Sequence, residues 1–478
     1  MSPARRARTL MVWGTSSDAG KSLVTTGICR ILSDMGLKVA PFKAQNMSNN
    51  ARVAEGGEIG CAQWFQAKAA RRAPEVAMNP VLLKPEKATR SQVVLLGEAN
   101  RELTEMDWRT RSQRLWEACQ APLARLLTEN DVVVAEGAGS PAEINLADCD
   151  YVNLSTAREL GGAAWLVSDI DRGGALASCA GTWALLEPTD RALLKGFVLN
   201  RFRGDRKLLE PAPQMLESRT GVPVVGVVPR FAHDLPDEDA ASWTERPRRP
   251  GNRVIALAAY PQVSNFDEFQ PLSPLAGWDV VLAREARELE GADIILLPGS
   301  KTSPSDLEWL RSRGMDAVIL AHAAAGRPVV GICGGLQILG GALLDPHGVE
   351  GSGDGLGLLP VETTYGARKR VTHTRQILSG LPGRWAAWND LAVEGYEIRM
   401  GETRPTGGCA HDAEGLWFAQ GNVFGTYLHG LFENREICER LFGKGSWGLP
   451  DLETTLDTIA AAVREGLEPG ALEAALGL

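Results

Sequence analysis

A chain of 478 residues exceeds one ordinary hydrophobic core, so two or three domains are expected. With 44% hydrophobic and 23% charged residues it has the balance of a globular protein in water, and no apolar run approaches the roughly 20 residues of a membrane span. A net charge of −9 gives nucleic-acid binding no support, so neither nucleic acid nor membrane is expected as a partner.

Eight cysteines, at 29, 61, 119, 149, 179, 333, 409 and 438, are scattered without a C-x-x-C pair. That argues against a zinc site or disulfide framework and fits a reducing compartment. No two of the six histidines lie within four residues of each other, so a histidine-based metal centre is not expected. Arg5, Arg6 and Arg8 precede a strand rather than a long apolar leader, and the expected location is cytoplasmic.

In chain order, Thr9 to Trp13 reads as a short buried strand, followed at once by GTSSDAGKSLVTTGICRIL. Gly14, Gly20, Lys21 and Ser22 form a phosphate-binding loop that contains Thr15 and opens a helix. Backbone N–H groups and the helix dipole cradle phosphates, Lys21 reaches the terminal phosphates, and the Ser22 hydroxyl can ligate Mg2+. Five residues separate the glycines, one more than in G-x4-G-K-[ST]. The Lys-Ser pair between strand and helix favours ATP or a similar nucleotide over a plain glycine-rich turn.

Lys38 to Phe42 is a second strand, ending at Lys43, which suits a phosphate or a substrate carboxylate but also reads as an ordinary surface lysine. Asp131 to Ala135 is a third, ending at Glu136. A carboxylate at that strand tip can share Mg2+ with the phosphates, with a solvated loop acid as the alternative. Ala164 to Ser168, Gly196 to Leu199 and Val222 to Val228 continue the series, and Asn200 joins Gly14, Thr15, Gly20, Lys21 and Ser22 as an expected ATP-binding residue. Strands alternating with helical segments, and polar chemistry at strand ends, indicate a doubly wound parallel sheet.

Ala232 to Asn252 is rich in charge and proline without apolar periodicity, and reads as a boundary. The expected division is 1–235, a linker over 236–252, a second unit over 253–446 and a helical tail over 447–478. The second α/β series runs through Val254 to Ala259, Asp279 to Ala283, Ile294 to Pro298 and Pro328 to Ile332. The last strand meets Cys333 inside GICGG, the cysteine counterpart of a G-x-S-x-G nucleophile elbow. A buried core cysteine is the commoner fate of a free thiol, but flanking glycines at a strand end favour a nucleophile at a helix N-terminus. The amides of Gly299 and Gly334 are expected to face a developing oxyanion. His429, where Val423 to Leu428 ends between Gly425 and Gly430, is the expected base, with His373 as competitor.

These segments, in this order, resemble cobyric acid synthase. The resemblance rests on GTSSDAGKS (14–22), APFKAQNMSNNA (40–51), EGAGSPAEINL (136–146), DIDRGG (169–174) and YPQVSNFDEFQPL (260–272). LPGSK (297–301), GICGGLQ (331–337), VEGYEIRMG (393–401) and GTYLHGLF (425–432) extend it over nearly the whole chain. It implies two doubly wound α/β units, a P-loop domain like dethiobiotin synthetase and then a class I-type glutamine amidotransferase domain. It also implies ATP- and glutamine-dependent amidation of the b, d, e and g carboxylates of adenosylcobyrinate a,c-diamide. By position Cys333 matches the family nucleophile and His429 its histidine, while Lys21, Ser22 and Glu136 match nucleotide and Mg2+ positions. Two departures stand out. Many class I glutaminases carry a glutamate two residues past the histidine, where this chain has Leu431, so only a Cys–His pair is expected. Arg399 stands where many relatives carry histidine. A cobyrinate a,c-diamide synthase is the nearest alternative, disfavoured by APFKAQNMSNN. A P-loop partitioning ATPase would need no elbow, and a bare glutamine- or nucleotide-sensing protein would hydrolyse ATP without depending on a carboxylate substrate.

Overall fold

The computed structural model describes residues 6–87, 90–236 and 248–478. Most of the expected linker, residues 237–247, lies outside the described residues. Six parallel strands form the first sheet, in the order Val224–Pro229, Leu194–Phe202, Ala163–Asp169, Arg8–Gly14, Val132–Glu136, Val39–Phe42. These are short, continuous apolar runs, as a sheet covered on both faces requires. The chain leaves Arg8–Gly14 for one side of the sheet and returns to the other, so the loop after this strand opens at the topological switch point.

The second sheet orders Trp278–Ala283, Arg253–Ala258, Ile294–Leu297, Val329–Ile332 and Val423–Thr426 in parallel. Trp417–Gln420 and Ala410–His411 extend it antiparallel. The nucleophile elbow therefore leaves a central strand, and His429 follows the strand beside it. Both sheets confirm the α/β class with mostly parallel strands.

Three features go beyond the sequence reading. A long antiparallel hairpin, Val361–Ile377 with Ala392–Pro405, projects from the second half. Its Tyr396 and Ile398 pack with Ala51, Val53, Leu82 and Val94 of the first half in one small core. The C-terminal helices, Leu452–Gly466 and Ala471–Leu476, fold back onto the first sheet. There Leu456, Ile459 and Val463 share a core with Val24 and Ile28 of the helix Lys21–Asp34. Among the described residues, no helix is long and apolar enough to cross a membrane.

Candidate active sites

At the end of Val329–Ile332, Cys333 adopts φ 51° and ψ −105°, a conformation a residue with a β-carbon rarely holds. The turn is tight because its glycines admit neighbouring backbone. A Cβ on Gly335 would lie 2.0 Å from the Leu297 carbonyl oxygen, and one on Gly334 would lie 2.5 Å from the Ser300 nitrogen. The elbow and the Gly299–Ser300 segment are thus packed together, and a Cβ on Gly299 would come within 3.2 Å of His429 Cε1. Gly299, Gly334, Cys333 and His429 converge on one place.

His429 is buried, against the Gly299 segment that packs on the Cys333 elbow. Its Nδ1 faces Glu268 Oε1 at 2.8 Å, while the Gly430 N–H donates to Glu268 Oε2 at 2.8 Å. That carboxylate fixes the Nδ1 proton and leaves Nε2 for the thiol. Glu268 belongs to the turn Phe266–Leu272, inside the segment YPQVSNFDEFQPL, and is the orienting acid missing from position 431. The structure thus places Glu268 against the histidine of the expected Cys333–His429 pair. Burial depresses the His429 pKa, but the Glu268 and Cys333 charges outweigh it and raise the value to about 10. Burial raises Glu268, opposed by His429 and the Gly430 amide. His373 lies exposed on the long hairpin, opposite Tyr396 in the register, and does not enter this group.

Arg399, on the strand Ala392–Pro405, is buried. Its guanidinium sits 4.0 Å from the centroid of Tyr427, and Nε donates to Glu397 Oε2 at 2.8 Å. It is a buried packing cation on the strand that passes Cys333, whose Sγ lies 3.7 Å from the Ile398 carbonyl oxygen.

On the first sheet, the loop after Arg8–Gly14 turns through Gly20 at φ 91° into the helix Lys21–Asp34. A Cβ on Gly20 would fall 1.9 Å from Asn200 Nδ2, so the amide of Asn200 closes over the loop. Asn200 Nδ2 donates to Ala19 O at 3.1 Å, and its Oδ1 is buried without a hydrogen-bond partner. Lys21 Nζ donates to Ser16 O at 2.9 Å and to Gly139 O at 3.2 Å, curling over the loop. Thr15 Oγ1 donates to Ser168 Oγ at 3.1 Å.

Glu136 is fully buried, not a solvated loop acid, and Lys43 is buried beside it, not a surface lysine. Ser22 Oγ and Lys43 Nζ both donate to Glu136 Oε1 at 2.8 Å, and Gln66 Nε2 to Oε2 at 2.5 Å. Burial pushes the Glu136 pKa up, but Lys43, Gln66 and Lys21 together hold it below the ordinary carboxylate value. Among the described residues, no cluster of three or more His, Cys, Asp or Glu makes a self-contained metal cage. A hydroxyl and an ionised carboxylate side by side nevertheless fit Mg2+, which takes one or two protein oxygens and fills its octahedron with phosphates and water.

Comparison with known proteins divides the chain the same way. Residues 10–239 match the model of the CobQ/CobB/MinD/ParA nucleotide binding domain, and residues 254–437 that of the CobB/CobQ-like glutamine amidotransferase domain. The chain is 54% identical to the cobyric acid synthase of Paracidovorax citrulli, over 97% of this chain and 98% of that one. It is 50% identical to that of Polaromonas naphthalenivorans, covering 98% and 99%. For that of Variovorax paradoxus the identity is 52%, covering 98% of each.

Proposed function

Because the chain belongs to the cobyric acid synthase family, we propose that it amidates the b, d, e and g carboxylates of adenosylcobyrinate a,c-diamide. It is a glutamine-dependent ligase of cobalamin biosynthesis that uses ATP. The observation that carries the finer reading is the pairing of two chemistries in one chain. A Cys333–His429–Glu268 triad sits at a strained elbow on one sheet, and a Lys21–Ser22–Lys43–Glu136 cradle sits at the switch point of the other.

In this reading the Cys333 sulfur attacks the side-chain carbonyl of glutamine, and the Gly299 and Gly334 amides receive the oxyanion, each worth roughly 3 kcal/mol of transition-state stabilisation. The C–N bond breaks as His429 protonates the departing ammonia. Water then cleaves the thioester and releases glutamate. At the other centre a substrate carboxylate takes the γ-phosphoryl group of ATP, because a free carboxylate is a poor acyl donor. Ammonia displaces phosphate from the acyl phosphate to leave the amide. Gly14, Thr15, Gly20, Lys21, Ser22 and Asn200 hold the nucleotide, Lys43 faces the phosphate or the substrate carboxylate, and the Asn200 Oδ1 supports a ligand contact there. Mg2+ held by Ser22 and Glu136 would neutralise charge on the phosphates. Residues 1–235 then form the ATP-binding amidoligase, 236–252 the linker and 253–446 the glutaminase, with the helical tail 447–478 closing on the first. All eight cysteines are unpaired, which supports a reducing cytoplasm.

The test is to incubate the protein with ATP, Mg2+, glutamine and adenosylcobyrinate a,c-diamide and weigh the products. The expected outcome is a stepwise mass loss as each hydroxyl is replaced by an amino group, and an unchanged mass would sink the assignment. Cys333→Ala is expected to abolish glutamine-driven turnover while ammonium salts still drive amidation.

A further inference from the structure

Arg52 belongs to neither chemical centre, yet it touches the surroundings of both. It lies on the strand Ala51–Ala54 of the first half and is 3% exposed. Nε and Nη2 donate to Asp267 Oδ2 at 3.2 and 2.6 Å, and Nη1 and Nη2 to the Glu433 carboxylate at 2.9 and 2.6 Å. The rings of Trp64, Phe65 and Tyr396 surround its guanidinium, with centroids 5.2, 5.2 and 5.5 Å away.

Two of its three partners from the second half, Asp267 and Tyr396, adjoin the imidazole of His429. Asp267 precedes Glu268, the residue that holds His429 Nδ1. Tyr396 stacks on the His429 ring at 5.3 Å and 19°, and the two residues exchange backbone hydrogen bonds of 3.1 and 2.8 Å. The turn that carries Glu268 is pinned by the same stretch of the first half. Ala51 N donates to Asn265 Oδ1 at 3.0 Å, Asn265 N to Asn49 O at 3.3 Å, and Phe266 N to Asn50 Oδ1 at 2.9 Å. Asn265 is held at φ 53°, so the turn depends on these anchors for its shape.

Facing the other way, the helix Cys61–Ala69 supplies Trp64 and Phe65 beneath the guanidinium, and its next residue, Gln66, reaches Glu136 at the phosphate site. Three consecutive side chains thus join the two centres through packed, buried groups. Without the guanidinium, Asp267 and Glu433 would be left as neighbouring carboxylates with no shared cation, and their repulsion would displace the turn next to His429.

We propose that Arg52 is a positioning residue, lent by the nucleotide-binding half, that holds the Glu268–His429 pair in register for glutamine cleavage. The Trp64–Gln66 segment ties this hold to the Glu136 end of the phosphate site. The inference rests on the glutaminase reading above, and one experiment separates the two.

Glutamate release from glutamine and ammonium-driven amidation are measured for the full-length protein, R52K, R52M, E268Q and the R52M/E268Q double variant. R52M is expected to lower glutamine-driven kcat about tenfold with the glutamine KM little changed, while ammonium-driven amidation stays within about twofold. R52K keeps the charge and recovers part of the loss. In the E268Q background R52M adds nothing, because a residue acting through Glu268 has nothing left to position. Equal losses in both reactions, an unchanged glutaminase rate, or losses that multiply in the double variant would overturn the proposal while glutamate release by the unmodified protein upholds the glutaminase reading. An unmodified protein that releases no glutamate removes both.

Discussion

Glu268 reaches His429 from 161 residues upstream, and its main effect is on where that imidazole holds its proton. With the carboxylate in place, His429 stays protonated up to about 10, against an ordinary value of 6.5. A histidine whose folded value is raised adds stability in full below 6.5, and this contribution is lost as the pH climbs through about 10. Glu268→Gln removes the largest raising influence and leaves burial, which lowers the value, opposed by Cys333 alone. The alkaline limb of the glutaminase pH profile is therefore expected to move toward neutrality in that variant, and glutaminase kcat to fall about a thousandfold through loss of the fixed tautomer. A profile that keeps its alkaline limb would show that something other than Glu268 sets the imidazole. Cys333 and His429 were legible in the sequence because each sits in a short glycine-framed motif whose geometry is local. Glu268 and Arg52 were not, because a neighbouring element in the fold, not a neighbouring residue in the chain, puts them there.

At the scale of elements, the helix Lys21–Asp34 carries the phosphate loop at one end and the seat of the C-terminal helix along its side. Gly27 sits at their closest approach, where a Cβ would lie 2.6 Å from Val463 Cγ2. Alanine at 27 would gain roughly 1 kcal/mol of helix propensity. Overpacking against a stiff β-branched side chain costs about 1–3 kcal/mol, so the crowding wins. Gly27→Ala is expected to lower the urea midpoint, and Val463→Ala, which removes the crowding methyls, to restore part of it. If the single variant were more stable, the close packing of these helices would be wrong. The parallel strands of both sheets were readable from their apolar runs. The Val361–Ile377 and Ala392–Pro405 hairpin was not, because charged residues such as Arg368, Lys369, Arg370 and Arg375 interrupt its apolar signal. Its buried face is made against the other half of the chain, which local sequence does not display.

For the whole molecule, the two centres divide the labour, and variants separate them. Lys21→Ala is expected to abolish amidation with either glutamine or ammonium salts while glutaminase activity persists. Loss of ammonium-driven amidation alone would show that Lys21 does not serve both nitrogen sources. A buried ion cluster centred on Glu58 also bridges the halves, through Lys369. Lys84 Nζ meets Glu58 at 2.7 Å, and Lys369 of the long hairpin meets the same carboxylate. Burial pushes Glu58 up, but the two ammonium groups hold it down at about 2, so its carboxylate stays ionised throughout the range in which an enzyme works. By contrast burial draws Lys84 down to about 7, with Glu58 opposing it.

The return of the last helices to the first sheet sets an order on synthesis. When the first 236 residues have left the ribosome, the groove beside Lys21–Asp34 still lacks the segment that fills it, and Val24 and Ile28 lose part of their cover. Some two hundred further residues must emerge before Leu452–Gly466 arrives to seal that side. Until those helices are made the nascent first half exposes this apolar groove, and the packing of the helix Lys21–Asp34 is completed only after the second sheet has been translated.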